Sequence, residues 1–94
     1  MPRLIFRPSF ERGYARYTKR DPIRRDCVDR TLTRLEHHPH DPRLKTHPLK
    51  GGKAGQFSCS CGYDCRITFI FETLPGTDSE AIALLDVGTH DEVY

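Results

Sequence analysis

The stretch "QFSCSCGYDCRITFIFE", residues 56–72, alternates apolar and polar side chains on both sides of a central Gly-Tyr-Asp. A period of two with a turn cluster at its centre is the pattern of two antiparallel strands, because a helix would scatter those apolar positions around its circumference. Phe57, Cys59 and Cys61 share one face, and after the turn so do Cys65, Ile67, Phe69 and Phe71. The hairpin therefore has an apolar underside that the rest of the chain must cover. Its other face presents Ser58, Ser60, Arg66 and Thr68.

The covering elements lie upstream. "RLIF" reads as a short first strand closed by Pro8, and "SFERGYARYTK" as a helix capped by Ser9, with Phe10, Tyr14 and Tyr17 turned inward and Gly13 weakening it. "DPIRRDCVDRTLTRLEHHP" carries stronger signals: Asp21 as N-cap, Pro22 at the first helical position, an apolar stripe of Ile23, Cys27, Leu32 and Leu35, and Pro39 as the stop. Its outer face holds Arg24, Arg25, Arg30 and Arg34. Residues 37–55, rich in Pro, Gly and His, read as a long ordered loop or connector, of a length that in compact domains often carries function. "LPGTDSE" is turn-like and "AIALLDV" supplies a last strand. The expected fold is α+β: an N-terminal strand and two helices packed on one face of a small, largely antiparallel sheet (β-α-α-β-β-β), one domain spanning residues 1–94. The other face of the sheet is left open, with Arg66 on it. A chain of this size buries only about 60–65 % of its unfolded surface, so the core is modest.

No apolar run approaches the roughly 20 residues of a bilayer span, and no export signal opens the chain; the cytoplasm is the expected location, with no membrane contact. Without an export signal the four cysteines read as free thiols. Cys59 and Cys61, spaced C-x-C on an extended strand, do not make the C-x2-4-C knuckle of a structural zinc site, and with Cys65 they sit on the apolar parity where small core residues belong. No metal is expected.

Charge is distributed unevenly. Residues 1–50 hold thirteen Lys/Arg against six Asp/Glu, a balance of +7, whereas residues 51–94 hold two against seven, or −5. Such a basic half suits a polyanion such as nucleic acid, although solvated arginine-rich helix faces also give such counts.

The chemistry-bearing residues are spread through the second half: His47 in "HPLKGGK", Asp64 and Arg66 in "GYDCR", His90 and Tyr94 in "GTHDEVY". Histidine exchanges protons near neutral pH, tyrosine can assist, and arginine can hold the extra negative charge of a phosphorane. Together they are equipment for cutting RNA by attack of its own 2′-hydroxyl, which needs neither metal nor cofactor. Lys45, Lys50 and Lys53 would seat phosphates.

Read in order, "HPLKG", the hairpin leading into "RITFIF", and the closing "LLDVGTHDEVY" resemble the RelE/ParE superfamily of toxin–antitoxin toxins, and within it the YafQ-like branch. The resemblance spans nearly the whole chain. It implies a RelE-like fold and a ribosome-dependent mRNA endonuclease that cuts the A-site codon and is silenced by a cognate antitoxin; ribosome, mRNA and antitoxin are the partners it implies. Residue by residue it carries over His47, His90, Asp64, Tyr94 and Arg66. One histidine would be the base, and the other, or Tyr94, the acid. Arg66 would stabilise the phosphorane and Asp64 orient a histidine or the substrate. Three positions depart from the pattern: Ser60 replaces a histidine, Cys65 a tryptophan and Asp86 an arginine. Two other readings fit the same chain: a ParE-like inhibitor of DNA gyrase that catalyses nothing, and a catalytically decayed module that docks a protein partner. The residues do not specify an oligomeric state. The catalytic reading expects one spatial outcome, the gathering of His47, Arg66, His90 and Tyr94 around a common hollow on the uncovered side of the sheet; these groups on opposite sides of the molecule, with no common cavity, would end it.

Overall fold

The computed structural model describes residues 2–53 and 55–94. Its elements run β1 (Arg3–Phe6), α1 (Pro8–Thr18), α2 (Pro22–His37), a 3-10 turn (Pro42–Leu44), β2 (His47–Pro48), a second 3-10 turn (Gly51–Lys53), β3 (Phe57–Gly62), β4 (Cys65–Thr73), β5 (Glu80–Gly88) and α3 (His90–Val93). The strands form one sheet in the order β1-β5-β4-β3-β2, antiparallel except where β1 runs parallel to β5. The α+β expectation holds, with two additions: the two-residue edge strand β2 inside the predicted loop, and the terminal turn of helix α3. None of the described helices is long and apolar enough to cross a membrane.

The hairpin forms in the expected register, Phe57 opposite Phe69 and Cys59 opposite Ile67, so the predicted apolar face meets the helices. Phe57, Phe69 and Phe71 pack edge to face or offset with centroids 5.2–6.0 Å apart. In β5 the apolar parity runs Ile82, Leu84 and then Val87, because the pairing with β4 skips Leu85. That bulge adds one residue and returns Val87 to the core side.

Helix α1 starts earlier than predicted. Arg7 is its N-cap and Pro8 lies in the first turn, which leaves Ser9 free to donate its hydroxyl to the Leu85 carbonyl instead of capping. Gly13 is buried, and a Cβ there would lie 2.2 Å from Asp86 Oδ1 and 2.8 Å from the Val87 carbonyl oxygen. The residue that costs helix propensity is what lets α1 touch β5. In α2 the Asp21 cap forms, accepting from Arg24 N–H at 3.0 Å, but the predicted stripe is corrected: Val28, Thr31 and Leu35 are buried while Ile23 is exposed. Thr31 tolerates burial because its hydroxyl donates to the Cys27 carbonyl at 2.9 Å.

The cysteines are corrected too. Cys61 and Cys65 form a disulfide across the hairpin tip, with Cα atoms 5.0 Å apart, and only Cys27 and Cys59 are free. Alternation places both partners on the apolar side next to the turn, which is the separation a disulfide spans. Cys59 is buried and its thiol pKa is pushed up to about 12 by loss of solvent, so it acts as a small hydrophobe.

Candidate functional site

The last residues are a docked turn. Thr89 and Glu92 form a capping box: the Thr89 hydroxyl accepts from Glu92 N–H, and the Glu92 carboxylate accepts from Thr89 N–H at 2.8 Å. That backbone bond, with the Arg16 guanidinium 3.2 Å away, lowers the Glu92 pKa. Val93 is buried, its carbonyl accepts from Lys53 Nζ at 2.7 Å, and the Tyr94 hydroxyl bonds Ser58 Oγ. These anchors seat α3 on the sheet face away from α1 and α2 and account for the complete burial of Ser58.

On this turn the His90 and Tyr94 rings meet edge to face, centroids 4.5 Å apart, and the Lys53 ammonium lies 5.9 Å from the centre of the Tyr94 ring. The His90 imidazole is exposed, with Nδ1 3.5 Å from Asp91. Asp64, at the hairpin tip, accepts the main-chain N–H of His90 at 3.1 Å. It thereby holds the turn and not an imidazole. His47 reaches the same neighbourhood through β2: it pairs with Ser58, the residue beneath the Tyr94 hydroxyl, and directly opposed residues project to the same side of a sheet. Its Nδ1 lies 3.1 Å from the Lys45 carbonyl, which can only accept. Nδ1 therefore carries the proton in the neutral ring, leaving the Nε2 lone pair outward.

Arg66 sits one step along the sheet, opposite Ser60 on one side and Gly88 on the other. Its Nη1 donates to the Cys65 and Gly62 carbonyls at 2.8 and 3.3 Å and is within 3.5 Å of Ser60 Oγ. Nε and Nη2 have no partner among the described residues, and no carboxylate pairs with it. Asp86, where the resembled pattern has an arginine, lies 3.8 Å from Arg16 and accepts from its neighbour's N–H.

The single hollow is corrected to two adjoining ones. Arg66 lines a cleft of about 530 Å³ with Arg30, Arg34, Arg43, Lys45 and Tyr63, while His47 lines a second, of about 340 Å³, with Lys45, His40, Phe57 and Phe71. Lys45 is common to both. His90 and Tyr94 line neither of these cavities. The three lysines separate: Lys45 lines both cavities, Lys53 supports the terminal turn, and Lys50 lies exposed just after β2. Sequence reasoning missed Ser58, Arg16 and the capping box. Only the last had a legible signal, the "THDE" that places Glu three residues after Thr.

No family model and no curated protein matches the chain by sequence. Solved structures do match. A YoeB/ParE toxin from Agrobacterium tumefaciens superposes with a TM-score of 0.75 at 18 % identity, over 94 % of this chain and 98 % of the other. YafQ from E. coli gives a TM-score of 0.76 at 16 % identity, over 100 % and 99 %. The chain has the fold of the RelE/YafQ-type toxins. YafQ has also been solved as the DinJ–YafQ complex, where the match has a TM-score of 0.75 at 19 % identity over 100 % and 99 % of the two chains.

Proposed function

We propose that this chain is the toxin of a toxin–antitoxin pair, an endoribonuclease that cuts mRNA at the ribosomal A site without a metal and is silenced by a cognate antitoxin. One observation carries the reading: the docked terminal turn holds His90, Tyr94 and Lys53 together over Ser58, on the rung of the sheet shared with His47. A tail without function would not need a capping box, an ion pair and a buried hydroxyl to hold an exposed histidine. The fold shared with YafQ, and the DinJ complex of that protein, support the toxin role and the antitoxin partner.

In this reaction His47 Nε2 takes the proton from the 2′-hydroxyl as its oxygen bonds to phosphorus. The bond from phosphorus to the 5′-oxygen breaks, and the leaving oxygen receives a proton from the His90 imidazolium or the Tyr94 hydroxyl. The products are a 2′,3′-cyclic phosphate and a free 5′-hydroxyl. The unpaired Nε and Nη2 of Arg66 and the Lys53 ammonium stabilise the charge that develops on the phosphorane, while Asp64 sets the position of His90 through its main chain. Lys45 and Lys50 draw in flanking phosphates.

Replacing His90 and Tyr94 together by Ala and Phe tests the reading. The variant is expected to fold normally and to lose both growth inhibition and the new 5′ ends mapped on translated transcripts. Undiminished toxicity overturns the assignment, and topoisomerase-dependent DNA damage in place of RNA cleavage identifies a gyrase inhibitor.

A further inference from the structure

The basic cleft stands apart from the terminal turn. β2 pairs only with Phe57 and Ser58, so beyond Ser58 that edge of β3 has no strand beside it. Arg30 and Arg34 approach this open edge from α2, Arg43 and Lys45 from the 3-10 turn that follows, and Arg66 and Tyr63 from the hairpin tip. Two carboxylates offset the five cations: Asp26 pairs with Arg30 at 2.9 Å, and Asp41 is shared by Arg43 at 2.8 Å and Arg34 at 3.8 Å. Lys45 and Arg66 have no acidic partner among the described residues, and the cleft is cationic overall. No aliphatic side chain and no phenylalanine lines it. Its lining is mostly polar, a poor match for the apolar face of a protein helix. Tyr63, at the rim, is fully exposed and stands outside the core.

We infer that this cleft is a binding site for single-stranded RNA outside the scissile linkage, in which guanidinium groups hold backbone phosphates and Tyr63 stacks on a base. Guanidinium forks match phosphate oxygens in geometry as well as charge. An aromatic ring with both faces in water beside a cationic groove is the arrangement that binds single strands without reading their sequence. Arg66 joins the two regions: its backbone pairs toward the strand that leads into the terminal turn, and its side chain enters the cleft. An RNA cut beside His90 would therefore run along the edge of β3. The site deepens the nuclease reading and rests on it for the identity of the strand, but its binding is measurable without cleavage.

The test is titration of the full chain with a short fluorescent single-stranded oligoribonucleotide at several salt concentrations, with inorganic phosphate and a poly-glutamate peptide as separate arms. Arg30→Ala with Arg43→Ala is expected to weaken RNA binding roughly tenfold or more and to flatten its salt dependence by about 0.7 log units for each phosphate that is no longer neutralised. Tyr63→Ala is expected to weaken it roughly fivefold or more with the salt slope intact. All three side chains are exposed, and a thermal melt confirms folding. Asp78→Asn, in the exposed turn between β4 and β5 and outside both the cleft and the terminal turn, should bind the RNA as the parent does. Parental affinity in both cleft variants overturns the site, as does a loss confined to the acidic peptide, which would assign the cleft to a protein partner, or to inorganic phosphate. Intact RNA binding by the cleft in a protein that cuts nothing would leave the site standing and remove the nuclease.

Discussion

The two histidines assigned to proton transfer are held in opposite ways. His90 belongs to a four-residue helix tied down at both ends: Asp64 and the capping box hold its start, and Lys53, Val93 and Tyr94 hold its finish. His47 belongs to the long connection between α2 and β3, which meets the sheet through the two residues of β2 and the His40 ring against Phe71, and the core through Leu44. The first is fixed by many small interactions, each local. The second rests chiefly on one large buried side chain and one edge pairing, with lesser ties from Asp41 to Arg34, His40 to Phe71 and Lys53 to the Val93 carbonyl. A reaction needing both groups therefore depends on a rigid partner and on one hung from a strand edge.

The largest expected effect lies on the hung side. Leu44 is fully buried, and Leu44→Ala should cost about 2–5 kcal/mol in denaturant unfolding, more than Val93→Ala on the terminal turn. Equal losses would erase the contrast. Replacing Cys61 and Cys65 together by Ser opens a five-residue covalent loop and should cost about 2 kcal/mol. Because that loop contains Asp64, the His90 amide should exchange faster in the same variant. Thr89→Ala removes the cap for about 1 kcal/mol, and the effect should appear as faster amide exchange at 92–94 with the melting of the sheet nearly unchanged.

The smallest effect concerns pH. The side-chain and backbone bonds from Arg43 pull the Asp41 pKa down from 3.8 to about 2. Since the folded value is depressed, the stabilisation is present above 3.8 and is lost as pH falls toward 2. The Asp41 side chain is largely covered by Arg43 and Arg34, and the direct measurement is a carboxylate titration by NMR. A midpoint at the ordinary value would mean that the Asp41–Arg43 pair closing this connection is not kept in solution.

The alternation of residues 57–71 is enough to place the hairpin, its register and the side on which the helices pack, because strand parity leaves a buried face few choices. The parity of β5 is not legible past Leu84, since a bulge obeys hydrogen-bond geometry and not hydrophobicity. The α2 stripe departs from its pattern: Ile23 stands in water while Val28 and a self-satisfied Thr31, a polar residue that hydrophobic periodicity passes over, enter the core. At the candidate site the titratable residues can be named from the chain, but their neighbours cannot. Ser58 becomes the seat of Tyr94 only when β2 and α3 come together over it, and neither a two-residue strand nor a four-residue helix has enough length to show a period. The cysteine pairing is within reach, as Cys61 and Cys65 flank a tight turn on one face, but the expected compartment argues for thiols.

The parallel neighbour of β5 carries a timing constraint. Residues 3–6 leave the ribosome long before their only strand partner, residues 81–84. During synthesis that early segment must wait, unpaired, while both long helices and the hairpin are made, at roughly 5–20 residues per second. The sheet closes only when β5 arrives, and His90 and Tyr94 follow within a few residues. A nascent fragment ending before β5 therefore has neither a finished scaffold nor the terminal turn with His90 and Tyr94, and the arrangement of that turn over Ser58 begins only once both have emerged.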